Sequence, residues 1–318
     1  MRRTNEAAIP LKLLYIYGPR PALGEHVKVR CRKQDSGVFR SGLVRRINLS
    51  AARLPLTRDT ADLLVEHAAG VATLTINHRQ ENNRLTPDAL AKLERVAAEL
   101  RDNDEIQAVV VTGTGLEHFS VGILNPTLRA SYTKEEIIAL VRLANRAFDA
   151  IEALPQVVIA ALNGPARAGA AELVLACDIR LAAENATVSF PEAAWGGFPG
   201  AGGPYRLATL VGRGRALELI CTGREVAAHE MERMGLIQGV CPPDQLSASA
   251  QALAHRIADA GPLATRGAKR IIRARSEPGL QAARELSDAL RHELEWSQDV
   301  DEAIAAHRDG RKPCFKGN

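Results

Sequence analysis

Val157-Val-Ile-Ala-Ala-Leu162 runs without a break into Asn163-Gly-Pro-Ala-Arg-Ala-Gly169, and this junction constrains the possible folds more than any other stretch of the chain. Six apolar residues halted by a glycine-containing turn read as a buried strand, and the turn opens a helix. Strand, turn and helix in succession belong to an α/β protein. A polar side chain three residues beyond such a turn looks into whatever the helix N-terminus binds, and that residue is Glu172. Twenty residues on, Glu192 follows a second, short strand (Ser189-Phe-Pro-Glu192). Two carboxylates brought together there would hold a water between them and divide the acid and base roles.

The α/β pattern extends along the chain from about residue 62. Residues 63–77 read as two strands around a Gly70 turn, with Val71, Thr73 and Thr75 alternating against Ala72, Leu74 and Ile76. Thr86-Pro87 is an N-cap with proline at the first helical position, and Leu90, Leu93, Val96, Ala97 and Leu100 line one face of the helix that follows. Ala108-Val-Val-Val-Thr112 is a short buried strand. Thr133 and Glu136 form a capping box for a long helix carrying Ile137, Val141, Ala144, Phe148 and Ile151. Beyond Gly203 the pattern is mostly helical through Glu295. The expected division is a basic extension over 1–60, an α/β core over 61–255 and a helical region over 256–318.

Charge separates the first of these from the rest. Residues 1–58 hold thirteen Lys+Arg against three acids, a net of +10, whereas the whole chain is +4, so residues 59–318 carry −6. The basic stretch lacks sustained periodicity and the apolar core of a secretory signal. A flexible extension, upstream sequence included by a misplaced start, an organelle-targeting presequence and a small folded or nucleic-acid-binding appendage all stay open for it. The last would make the protein an RNA-binding or scaffolding molecule. The acidic body and the lack of aromatic interleaving in the basic stretch argue against nucleic acid.

No apolar run approaches the ~20 residues of a membrane helix, so no membrane partner is expected. Five scattered cysteines without a C-x-x-C favour free thiols in a reducing, cytoplasmic compartment. The eight histidines do not cluster at ligand spacing, and no metal is expected.

Several ordered segments together resemble the enoyl-CoA hydratase/isomerase (crotonase) superfamily over residues 62–318. They are Thr75 to Leu85, His118-Phe-Ser-Val-Gly122, the stretch from Ile159 through Glu172 to Asp178, Pro191-Glu192, Pro199-Gly-Ala-Gly-Gly203, Thr222-Gly-Arg224 and the C-terminal Arg311-Lys-Pro-Cys-Phe-Lys316-Gly. The resemblance implies a spiral of β-β-α units with a C-terminal helical region that trimerises, hence a homotrimer or dimer of trimers. It implies an acyl-CoA thioester substrate, with no cofactor beyond the CoA the substrate carries. Backbone N–H groups of Ile123 and Gly169 would form an oxyanion hole, and Glu172 and Glu192 would be the hydratase pair. Retention of both glutamates favours addition of water to a trans-2-enoyl-CoA, with double-bond isomerisation as the alternative. Each glutamate alone could instead be an exposed first-turn carboxylate or a cap.

Arg79, Asn82, Ser120, Gly122, Leu124, Gly200 and Lys316 are the candidate substrate and CoA contacts. The chain departs from the family pattern at Ala168-Gly169-Ala170, often three glycines, at Ile123-Leu-Asn-Pro126, and at Trp195, Pro204 and Tyr205. Trp296 and His307 read as packing residues.

Overall fold

A computed structural model describes residues 60–276 and 279–314. The expectations for the basic extension through residue 59, and for Lys316, lie outside the described residues. In chain order the strands and helices are β1 (Leu63–Ala68), β2 (Val71–Ile76), α1 (Pro87–Arg101), β3 (Ala108–Gly113), α2 (Pro126–Arg129), α3 (Lys134–Glu152), β4 (Val157–Leu162) and β5 (Ala166–Arg167). Then come α4 (Gly169–Ala176), β6 (Ile179–Ala183), β7 (Thr187–Ser189), α5 (Gly203–Val211), α6 (Arg213–Thr222), β8 (Val226–Ala227) and α7 (Ala228–Arg233). The chain closes with β9 (Gly239–Cys241), α8 (Leu246–Ala258), α9 (Pro262–Ser276), α10 (Leu280–Glu295) and α11 (Gln298–Arg308).

Six strands form one sheet in the order β1-β2-β3-β4-β6-β9. Only the β1–β2 hairpin is antiparallel; the other pairs are parallel, with Leu74 opposite Val111 and Val110 opposite Ile159. A parallel sheet must be covered on both faces, which explains why β4, and β3 from Ala108 to Val111, are apolar. Alternate side chains divide between two clusters. Val109, Val111, Val158 and Ala160 join the large core with residues of α1, α3 and α4. Ala108, Val110, Ile159 and Ala161 face Leu246, Ala250 and Ala254 of α8 on the other side.

Local signals behave as their chemistry requires. Thr86 Oγ1 accepts the Ala89 N–H at the start of α1. Thr133 and Glu136 make both halves of the capping box of α3. The β1–β2 turn carries Ala69 and Gly70 at φ 46° and 78°. The line between 255 and 256 falls inside α8. Trp296 is not packed in the core: it is 51% exposed, with Lys134 Nζ 5.3 Å from the ring centroid. No helix among the described residues is long and apolar enough to cross a membrane.

A second, three-stranded sheet, β5-β7-β8, builds the site. Its two-residue strand β5 sits between two segments that must meet. On one side Ser120 bridges Ala166, and Arg167 N–H donates to Ser120 O at 3.0 Å. On the other side Arg167 pairs with Ser189 of β7, which leads to Glu192.

Candidate active site

The first segment is the loop from Gly113 to Gly122. Asn163, just after β4, donates from Nδ2 to the carbonyls of Gly115 and His118 and accepts the Gly113 N–H on Oδ1. Asn83 donates to Thr114 O and His118 O. Neither Gly113 nor Gly164 has room for a Cβ, which would lie 2.3 Å from Phe119 O and 2.5 Å from Glu117 O respectively. Ser120 is fully buried, and its Oγ accepts the Gly122 N–H at 3.1 Å. It therefore shapes this loop rather than lining a surface for a ligand.

Gly122 brings the loop against the start of α4. A Cβ on Gly122 would stand 2.6 Å from Arg167 O and 3.2 Å from Gly169 N, and its φ of 96° favours glycine in any case. The peptide entering Ile123 and the peptide entering Gly169 are thus neighbours. The N–H groups of a helix's first turn have no partner within the helix and carry its positive end. Ile123 closes over this point: its Cδ1 would be 2.6 Å from a Cβ on Gly169. Ala168 precedes the helix at φ 53°, ψ −128°, a backbone conformation costing a non-glycine residue about 1–3 kcal/mol. It is held there by a hydrogen bond from its N–H to Ser189 O and by its own carbonyl, which accepts the Glu172 N–H.

Glu172 is not the exposed first-turn residue that its position alone allows. It is 3% exposed, and its Oε1 accepts N–H bonds from Ala201 at 2.7 Å and Gly203 at 2.8 Å. The Pro199–Gly203 segment thereby becomes a clamp on the carboxylate. Gly203 could not carry a side chain there, since a Cβ would meet Pro199 Cβ at 2.6 Å and Glu172 Oε1 at 3.1 Å. Burial pushes the Glu172 carboxyl up to about 7, against the opposing pull of the two N–H bonds. Glu192 lies in a short 3-10 turn, Pro191–Trp195, and its Oε2 is buried without a hydrogen-bond partner. Burial first, and the nearby Glu172 second, push its carboxyl up further, to about 8.

Both glutamates line one inner cavity of ≈ 80 Å³, together with Ile123, Leu124, Gly169 and Gly200. The cavity shares Ile123, Leu124, Asn125, Pro126 and Trp195 with an outer groove of ≈ 750 Å³. Asn82, Gly122, Arg84, Arg167 and His307 also line that groove. Arg79 falls in a neighbouring hollow beside Gly115 and His118, with Asn82 shared between the two. Among the described residues, the cations bordering the groove are Arg84, paired with Glu81, and Arg167, whose guanidinium lies 5.9 Å from the Trp195 ring centroid. His307, read from the sequence as a packing residue, lines the groove and hydrogen-bonds Thr127 Oγ1 through Nε2 at 3.1 Å.

Sequence reasoning missed Arg129 and Arg291, which also line the inner cavity. They come from α2 and α10, far apart in the chain, and no local pattern joins them.

A clamped carboxylate, a second one beside it and a glycine-started helix in one cavity coincide with a match to the enoyl-CoA hydratase/isomerase family over residues 66–318. The chain belongs to that family. It is 37% identical over 247 residues to the YngF protein of Bacillus subtilis, covering 78% of this chain and 95% of the relative. It is 33% identical to the short-chain-enoyl-CoA hydratase of Clostridium acetobutylicum, over 79% of this chain and 96% of that one. Among solved structures, an enoyl-CoA hydratase from Bacillus anthracis matches with a TM-score of 0.65 at 34% identity, covering 81% of this chain and all of that chain. The fold is accordingly the crotonase spiral with its C-terminal helices.

Proposed function

We propose that this family member adds water across the double bond of a short trans-2-enoyl-CoA, giving the 3-hydroxyacyl-CoA. The observation that carries this reading is the pair of buried carboxyls, Glu172 and Glu192, on one cavity whose wall also holds the start of α4.

Water adds at Cβ only if negative charge can gather on the thioester oxygen. The N–H groups of Gly169 and Ile123 receive that oxygen in the proposed complex, each worth about 10²–10³ in rate. The two carboxyls divide the proton work according to their surroundings. Two N–H donors favour the ionised form of Glu172, while Glu192 has a buried oxygen without a partner and the higher affinity for a proton. Near neutral pH, Glu172 is then the base that takes a proton from water as its oxygen bonds to Cβ. Glu192 gives a proton to Cα as the enolate collapses. The sum is one water added, with the pair returned by proton exchange. No metal or separate cofactor enters these steps.

The outer groove, bordered by Arg84, Arg167 and His307, suits the phosphate-bearing CoA moiety. Leu263, Ile271 and Ile272 on α9 are 86%, 72% and 66% exposed, which supports a homotrimer or a dimer of trimers as the working form. Unpaired Cys177, Cys221, Cys241 and Cys314 support a cytoplasmic setting.

The test is turnover of the full-length protein on a panel of short trans-2-enoyl-CoA esters, followed by product mass. Gain of one water, lost by about 10²–10⁴ in Glu172→Gln and Glu192→Gln, is the expected result. A product of unchanged mass with a migrated double bond would give the site to isomerisation instead.

A further inference from the structure

The inner cavity has a cationic wall to which the proposed hydration steps give no direct role. Arg129 and Arg291 both line it, beside Val141, Phe198 and Ile304. Arg291 is 8% exposed and Glu295 is 2% exposed. Arg129 Nη2 pairs with Glu295, and Arg291 Nη2 lies 3.3 Å from the same Glu295 oxygen, Oε2. Arg291 Nη1 reaches Phe198 O only at 3.5 Å. The Nε groups of both arginines are buried with no hydrogen-bond partner.

Two guanidiniums thus share one carboxylate. Each has five N–H donors, and a buried cation is costly unless it is paired and hydrogen-bonded. Gly197 and Gly200 lie against Arg291: a Cβ at Gly197 would stand a slightly tight 3.3 Å from its Nη1, and one at Gly200 an ordinary 3.4 Å from its Cδ. The volume is small. At about 10–15 Å³ for each water-sized group, ≈ 80 Å³ admits roughly five to eight of them.

We propose that the acyl chain taken here is short and ends in a carboxylate, which Arg291 binds with Arg129 beside it. The substrate class is the CoA half-thioester of a short trans-2-enoic dicarboxylic acid, an inference that rests on the hydration reading above. Glu172 and Glu192 also act on Arg291 through charge, but Glu295 is the carboxylate paired with both guanidiniums. The incoming carboxylate supplies a second directly bonded one, and guanidinium matches its geometry in a way ammonium does not. A neutral tail of the same shape would leave the two guanidiniums sharing Glu295 and their buried Nε groups without a partner, and a site with unsatisfied buried donors discriminates sharply.

The test compares glutaconyl-CoA with its neutral isostere, 5-methylhex-2-enoyl-CoA, in wild type, Arg291→Met and Arg291→Lys. Calorimetric binding of the saturated esters, glutaryl-CoA and 5-methylhexanoyl-CoA, reports recognition without turnover. Wild type is expected to favour the carboxylated ester by at least about 10² in kcat/KM. The saturated pair should rank the same way in Kd. Arg291→Met should collapse both ratios, and Arg291→Lys should restore part of them.

Equal binding of the two saturated esters by wild type, or preference for the neutral tail, overturns the proposal. So does an Arg291→Met variant that loses both substrates alike and moves the pH optimum, which would assign Arg291 to the glutamates. Preferential glutaryl-CoA binding with hydration of neither enoyl ester would sink the hydration reading and leave carboxylate recognition standing.

Discussion

Replacing Glu172 with glutamine should lower hydration by about 10²–10⁴ and, at the same time, make the protein more stable at neutral and alkaline pH. The native carboxyl holds its proton to about pH 7, whereas the ordinary value is 4.5. Between those values the native state binds more protons than the unfolded chain, so each step up in pH favours unfolding. The wild type therefore has this contribution in full below about pH 4.5 and loses it as pH rises towards 7. At 1.36 kcal/mol per unit, the loss comes to about 3 kcal/mol. Glutamine is neutral at every pH and keeps an oxygen for the Ala201 and Gly203 N–H groups, so it escapes this loss. Removing the Glu172 charge also eases ionisation of Glu192, which adds to the gain in the same direction. Thermal unfolding at fixed protein concentration, at pH 5, 6, 7 and 8, measures it. The variant should equal the wild type near pH 5 and melt about 6–12 °C higher at pH 8, taking 2–4 °C per kcal/mol for a domain of this size. A melting difference that does not change with pH, or a wild type that is the more stable at pH 8, would refute the burial argument.

Two other substitutions probe the approach of Gly122–Ile123 to α4. Gly169→Ala drives a methyl into Ile123, and kcat should fall by about 10²–10³ because the two N–H groups no longer converge. Adding Ile123→Ala removes the colliding side chain and should recover part of the rate in steady-state assays; no recovery would mean the hole is not built this way. Ala168→Gly relieves the backbone at φ 53°. It should raise stability by roughly 1 kcal/mol after the entropy of glycine is counted, read as a higher melting temperature.

The glutamates, the glycine junction and most of the α/β order were legible because each is a local pattern. A buried strand stopped by a glycine turn, or a Thr-x-x-Glu cap, carries its meaning within a few residues. Ser120 was legible as part of a motif but not in its role, since an oxygen turned back onto the Gly122 N–H looks the same in sequence as one offered to a ligand. The small sheet around Ala166–Arg167 escaped notice because two-residue strands have no periodicity. Arg129, Arg291 and Glu295 were invisible for a different reason. The Arg129–Glu295 contact joins positions separated by 166 residues, and an arginine four residues before a glutamate on a helix, as Arg291 stands before Glu295, normally means a solvated surface pair.

The inner cavity takes its reacting groups from the stretch that contains Glu172 and Glu192, and its far lining from Arg291, Ala303 and Ile304 in the last helices. The two glutamates and this part of the wall thus come from separate passages of the gene, while Arg129 and Val141 reach the same cavity from α2 and α3. Drift or recombination in the final helices can retune what enters while the reacting pair stays untouched. A chimera carrying another relative's last helices should inherit that relative's acyl preference and keep this chain's reaction.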